Sequence, residues 1–184
     1  FDDEFLRFAF YKNMLPPYTH QFKNECYRAD LFPIATCYHL FCNEALTWPM
    51  VTDDEGVDKV SLKLENLNIA NKFYSGGRAH DAITDVLVTV EMAKKLYSAN
   101  PKMWEFLLAK FDKKNDEEVL TKLDVALNIN DRDYRQAIAV SGIFGYKNNF
   151  MSAILDIGQH RHYKNQQIFV RLDSQLFADF ITEY

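Results

Sequence analysis

Three cysteines among 184 residues, with no Cys-x-x-Cys pair, are too few for a disulfide framework or a zinc ribbon. Cys26, Cys37 and Cys42 read instead as structural thiols of a reducing, cytoplasmic compartment. Six glycines and five prolines exclude collagen-like and low-complexity architectures. The sequence contains no run of about 18 apolar residues, so no helical membrane span and no membrane partner is expected. Basic residues do not dominate: 21 Lys and Arg against 26 Asp and Glu give a net charge of −5. That excludes a histone-like protein held to nucleic acid by bulk charge, but leaves room for a nucleic-acid enzyme with a local basic groove.

What is present is a globular composition, 48% hydrophobic and 26% charged. The length suffices for one substantial domain or two small ones. Phe1 leads directly into an apolar-periodic run, and Phe177, Phe180 and Ile181 leave the pattern unfinished at Tyr184. Both ends read as cuts through structure, so a fragment is expected.

Helical spacing predicts helices over 2–14, 29–46, 63–70, 79–97 and 102–111. In the fourth, the longest, Ala82, Val86, Val90, Ala93 and Leu96 form the predicted buried stripe. Pro16-Pro17 and Asn100-Pro101 read as breaks. Thr52–Gly56 is an acidic turn, and 112–118 a polar connector. After about residue 134 the pattern becomes strand-like alternation, at 137–140, 152–157 and 167–172. A helix-rich unit at 1–100, a helical connector at 101–133 and a strand-rich unit at 134–184 follow from that shift. Charge divides similarly. Residues 1–100 carry 10 basic and 14 acidic residues, whereas 134–172 carry Arg135, Lys147, Arg161, Lys164 and Arg171 against Asp156 alone. The second part reads either as an ordinary solvated surface or as a phosphate-tracking face.

The segment richest in chemistry is Gly77-Arg78-Ala79-His80-Asp81-Ala82-Ile83-Thr84-Asp85-Val86. His80 and Asp85 lie about one helical turn apart at the start of a strong helix, so both can face one cleft. A carboxylate there can hold a divalent cation while the imidazole accepts a proton from water. The spacing alone is weak. The longer string, Ala79-His80-Asp81-Ala82-x-x-Asp85-Val86-x-x-Thr89, resembles the third motif of DEDDh exonucleases, and within them the exodeoxyribonuclease I family.

Other segments resemble that family in the same order. They are Phe1-Asp2-Asp3-Glu4 with Phe10-Tyr11-Lys12-Asn13, Arg28-Ala29-Asp30-Leu31, Trp48-Pro49, Ser61-Leu62-Lys63-Leu64-Glu65, and Val140-Ser141-Gly142-Ile143-Phe144-Gly145. The resemblance implies an α/β, RNase H-like exonuclease domain without its N-terminal strands, followed by the start of an SH3-like β-rich domain. It implies Asp2 and Asp85 as metal ligands for Mg²⁺ or Mn²⁺, with Asp3 ranked lower, and His80 as the general base. It also implies 3′–5′ hydrolysis of single-stranded DNA to nucleoside monophosphates. The family's first motif, an Asp-x-Glu on an opening strand, has no counterpart. Asp53-Asp54-Glu55 has the letters but sits in a polar turn.

Arg28, Lys63, Phe144, Tyr146 and Lys147 are the expected substrate contacts, with packing the stronger reading for Phe144. Asp81 reads as a cap or a partner of Arg78. His160-x-His162 lacks nearby Cys or acidic ligands, which argues against a metal site. The expected partners are single-stranded DNA and a single-strand-binding protein, and the expected state is a monomer. Two alternatives stand beside the DNA exonuclease. One is a catalytically incomplete module binding single-stranded nucleic acid or a protein partner. The other is a DEDDh exonuclease acting on RNA.

Overall fold

The computed structural model describes residues 2–18, 28–76, 81–163 and 166–175. Their first half is helical. Helix α1 spans Asp2–Lys12 and α2 spans Leu31–Phe41. A short hairpin follows, β1 (Met50–Thr52) with β2 (Asp58–Val60), and then α3 (Leu64–Asn71), α4 (Ala82–Ala99), α5 (Pro101–Ala109) and α6 (Lys113–Thr121). The core forms where α2, α3 and α4 meet. Ile34, Ala35 and Tyr38 of α2, Leu67 of α3, and Met92 and Leu96 of α4 are buried together with Cys42 and Leu46. Trp104, Leu107 and Phe111 close its edge. Cys37 and Cys42 are buried free thiols, as their apolar setting predicts.

Local chemistry explains the helix starts. The Asp30 carboxylate accepts from the Phe32 N–H at 2.9 Å and caps α2, whose first turn holds Pro33. Asn100 ends α4 and, through its side chain, accepts from the Met103 N–H at 3.0 Å to cap α5. The expected break at Asn100-Pro101 thus ends α4, and Pro101 at once starts α5, because the first helical position needs no N–H. Asp112 caps α6 at the Lys114 N–H, so the expected connector at 112–118 is helical.

The face of α4 differs from the predicted stripe. Thr84, Val88, Met92 and Leu96 are buried, while Val86 is 61% and Val90 42% exposed. The helix is apolar on nearly every side, so periodicity admits two faces, and packing on α2 and α3 selects one.

The second half is a four-stranded antiparallel meander, in the order β3 (Val125–Ile129), β4 (Arg132–Val140), β5 (Met151–Gln159), β6 (Gln167–Arg171). Strand β3 lies inside the span assigned to the connector. All five of its residues are exposed, which removes the alternation that marks a strand. Between β4 and β5 the chain makes two 3₁₀ turns, at 142–144 and 146–148. Phe32 of α2 abuts this segment. Its ring lies where a Cβ on Gly142 would fall, 2.8 Å away, and it meets Phe150 edge-on at 6.2 Å. This contact joins the helical half to the sheet.

Candidate functional site

A cleft of about 1400 Å³ opens along that join. One wall is the approach to α2 and its first turns, with Arg28, Asp30 and Phe32. A second is the β1–β2 hairpin and the start of α3, with Asp53, Lys59 and Lys63. Thr89 and Met92 of α4 form the floor, and Tyr146 and Phe150 supply the aromatic rim. Asn149 and Phe150 hold left-handed backbone, φ +50° and +56°. Such strain in bulky residues persists only where surrounding contacts fix it. Here the Phe150 N–H donates to the Gly145 carbonyl at 2.9 Å, and the ring packs against Phe32.

The hairpin tip is fastened to the rim. Asp53 folds the turn by accepting from the N–H groups of Glu55 and Val57 on one oxygen. Its other oxygen accepts from the Tyr146 hydroxyl at 2.5 Å. Lys59 lies 3.7 Å from the same carboxylate and 4.4 Å above the Tyr146 ring. The Tyr146 hydroxyl, more than any other group, holds the Asp53 carboxyl down at about 2, and the Asp53 carboxylate in turn raises the Tyr146 phenol to about 12. Asp53-Asp54-Glu55 is thus a turn that spends its first carboxylate on structure. Asp53 and Lys59 were not expected at the site, and only the Asp-x-x-Gly spacing of the turn hinted at the first.

Three of the five expected substrate contacts, Arg28, Lys63 and Tyr146, line this one cleft. Lys63 is exposed, and its ammonium has no hydrogen bond or ion pair among the described residues. Arg28 pairs with the Asp3 carboxylate of α1. Lys147 points away to Glu55, 3.2 Å distant, and both side chains are well exposed. Phe144 is buried beneath the turn with the Arg171 guanidinium 4.9 Å over its ring, and it does not line the cleft.

Asp85 lies in the first turn of α4, one turn before Thr89 on the same face. Thr89 donates its hydroxyl to the Asp85 carbonyl at 2.7 Å, while the Asp85 carboxylate is half-buried with no partner among the described residues. Asp81 precedes α4 and accepts a long hydrogen bond from the Thr84 hydroxyl at 3.4 Å. Asp2 opens α1, and only its backbone is described. His80 and Arg78 lie outside the described residues. Among the described residues no three His, Cys, Asp or Glu side chains gather into a metal-binding group, and no helix is long and apolar enough to cross a membrane.

No protein-family model matches the chain. Exodeoxyribonuclease I of Escherichia coli (strain K12) is 30% identical to it over 172 residues, covering 94% of this chain and 33% of that protein. Exodeoxyribonuclease I of Buchnera aphidicola subsp. Schizaphis graminum is 33% identical over 179 residues, covering 97% and 33%. The chain thus spans about one third of the length of these relatives. Solved structures agree. A structure of exonuclease I that suggests how processivity is achieved superposes with a TM-score of 0.72 at 29% identity, over 95% of this chain and 34% of that one. E. coli exonuclease I in complex with a dA16 oligonucleotide gives 0.69 at 29% identity, over 94% and 34%. A complex of exonuclease I with SSB-Ct gives 0.69 at 28% identity, over 94% and 34%.

Proposed function

From a chain homologous over nearly its whole length to one third of the exodeoxyribonuclease I proteins, we propose part of a 3′–5′ exonuclease that degrades single-stranded DNA to nucleoside monophosphates. The observation that carries this reading is the half-buried Asp85 carboxylate, which has no partner among the described residues. It continues the Thr89–Met92 face of α4 one turn beyond a cleft whose walls carry Arg28, Lys59, Lys63 and Tyr146. A half-buried carboxylate beside a basic, aromatic-rimmed groove suits metal-dependent phosphodiester chemistry.

Asp85, with Asp2, would hold Mg²⁺ or Mn²⁺. Hard oxygen donors suit either ion. Bound there, the metal would supply Lewis-acid stabilisation of the phosphoryl oxygens. The chain's own residues do the rest. Lys63 and Arg28 hold backbone phosphates, and Tyr146 and Phe150 offer faces for unpaired bases. His80 accepts the proton of the attacking water. The 3′-oxygen of the penultimate nucleotide leaves, and the terminal nucleotide departs as its 5′-monophosphate. Phosphate and stacking contacts tolerate any base, so little sequence preference is expected.

In this reading the helices complete an RNase H-like domain whose N-terminal strands lie in the longer protein. Val86 and Val90 on α4, and Phe5 and Phe8 on α1, are exposed apolar side chains that such strands would cover. The β3–β6 meander is the start of an SH3-like domain. A single-strand-binding protein is the natural partner, since the product of its binding is this enzyme's substrate.

Asp85→Asn in the longer protein should reduce metal-dependent nucleotide release from a 3′-labelled oligonucleotide about a hundredfold or more, with binding retained. Full activity in both His80→Ala and Asp85→Ala would overturn the assignment. Salt-dependent binding with no cleavage in Mg²⁺ or Mn²⁺ would make the chain a binding module. Matched DNA and RNA oligonucleotides decide the sugar.

A further inference from the structure

Asp53 divides its carboxylate between two tasks, one oxygen for each. Oδ1 accepts from the N–H groups of Glu55 and Val57, at 3.0 and 2.9 Å, and so shapes the β1–β2 turn. Oδ2 serves the join between the two halves of the fold. It accepts from the Tyr146 hydroxyl at 2.5 Å and lies 3.7 Å from the Lys59 ammonium. Lys59 in turn stands 4.4 Å from the centre of the Tyr146 ring. The phenol is thus held at its hydroxyl by Asp53 and at its face by Lys59, and the same oxygen draws in Lys59. The turn needs only Oδ1. Oδ2 links two cleft-lining groups that come from opposite halves, Lys59 on β2 and Tyr146 before β5.

Asp53 itself is a poor contact for a strand. Its side chain is only 10% exposed, and an ionised carboxylate repels phosphate. Tyr146 and Lys59 are the suited pair, a ring for an unpaired base beside a cation for a phosphate. Left free, both side chains would lose rotamer freedom when a strand binds. Fixed beforehand, they lose less, and the contact is tighter for it.

We propose, on the single-stranded-DNA reading of the cleft, that Asp53 is a positioning residue for the strand. It touches no part of the DNA. It acts through Tyr146 and Lys59, holding a base platform and a phosphate contact in one arrangement. Stacking at the sheet-side rim is therefore conditional on a carboxylate of the helical half.

Asp53→Asn separates the two tasks. The asparagine oxygen keeps the turn by accepting from Glu55 and Val57. Its amide nitrogen then stands in place of Oδ2. As a donor without negative charge, it neither accepts from the phenol nor draws in Lys59.

The test is fluorescence anisotropy of the longer protein in EDTA, with a thymidine oligonucleotide of about 12 nucleotides and an abasic strand of the same length. Both strands carry the same phosphates, so the ratio of their affinities isolates stacking. Wild type should favour the thymidine strand. Asp53→Asn should cut that ratio about fivefold. It should bind the abasic strand no more weakly than wild type does, since a negative charge has left the cleft wall. Tyr146→Phe keeps the ring but loses its anchor, and should cut the ratio by a similar factor. Combining the two should cut it little further. Asp54→Asn removes the same charge one position along and should leave the ratio as in wild type.

An unchanged ratio in Asp53→Asn overturns the positioning role. An equal loss on both strands also overturns it, being the mark of a displaced hairpin. So do fully additive losses in the double variant, or an equal fall in the ratio with Asp54→Asn. A wild type that binds both strands alike overturns it as well, because Tyr146 then stacks no base. Failure of the wild type to bind either strand overturns the parent reading too.

Discussion

Tyr146 and Asp53, 93 residues apart in sequence, share one hydrogen bond of 2.5 Å that ties the β1–β2 hairpin to the turn before β5. The bond needs a protonated phenol and an ionised carboxylate. The Asp53 carboxyl is held down at about 2 from an ordinary 3.8, so its contribution is present above pH 3.8 and is lost as pH falls toward 2. The Tyr146 phenol is raised from 10.0 to about 12, so its contribution is intact below pH 10 and is lost as pH rises toward 12. The difference in Tm between wild type and Tyr146→Phe should therefore be largest between those limits and shrink at both extremes. Thermal melts across pH check this, and a constant difference would contradict it.

Lys63 and Lys147 should behave differently toward single-stranded DNA. Lys63 lines the cleft with its ammonium unpartnered among the described residues, whereas Lys147 already faces Glu55. Lys63→Gln should weaken oligonucleotide binding severalfold and reduce the salt slope by about 0.7. Lys147→Gln should change either by less. Titrations at three salt concentrations distinguish them.

Core substitutions should divide by mechanism. Leu96 is fully buried, and Leu96→Ala should cost about 2–5 kcal/mol in a denaturant melt, through lost transfer energy and the cavity left behind. Tyr38→Phe keeps the ring and removes one hydrogen bond to the Asn100 carbonyl. That carbonyl retains the Trp104 N–H at 3.0 Å, so the loss should be only about 1 kcal/mol.

Val86 and Val90 give a test of the longer protein. Both are exposed in this chain, so Val86→Ser with Val90→Ser should shift its stability by no more than about 1 kcal/mol. In a longer protein whose strands cover α4, the same pair should destabilise by several kcal/mol. Parallel melts of the two lengths read the difference.

Helices α2, α3 and α5 were legible because their apolar spacing pointed one way, whereas their caps at Asp30 and Asn100 emerged only in the structure. The buried face of α4 was not, since Val86 and Val90 satisfy the helical period as well as Val88 and Met92 do. The hairpin strands β1 and β2 are three residues each, too short for a period-two pattern to register. At the site, sequence pointed to Arg28, Lys63 and Tyr146 through their family resemblance. It could not reveal that Asp53 would reach Tyr146, because nothing local to either residue records a contact across 93 positions.

Asn100 is the single residue between α4 and α5, and its backbone groups and side-chain oxygen are all committed. Its N–H bonds Leu96, its side chain caps Met103, and its carbonyl takes both the Tyr38 hydroxyl and the Trp104 N–H. Chain length at this junction is therefore quantised. One inserted residue would turn α5 by about 100° and swing Trp104 and Leu107 off the core. Relatives of this chain should keep a fixed count of residues from Leu96 to Leu107.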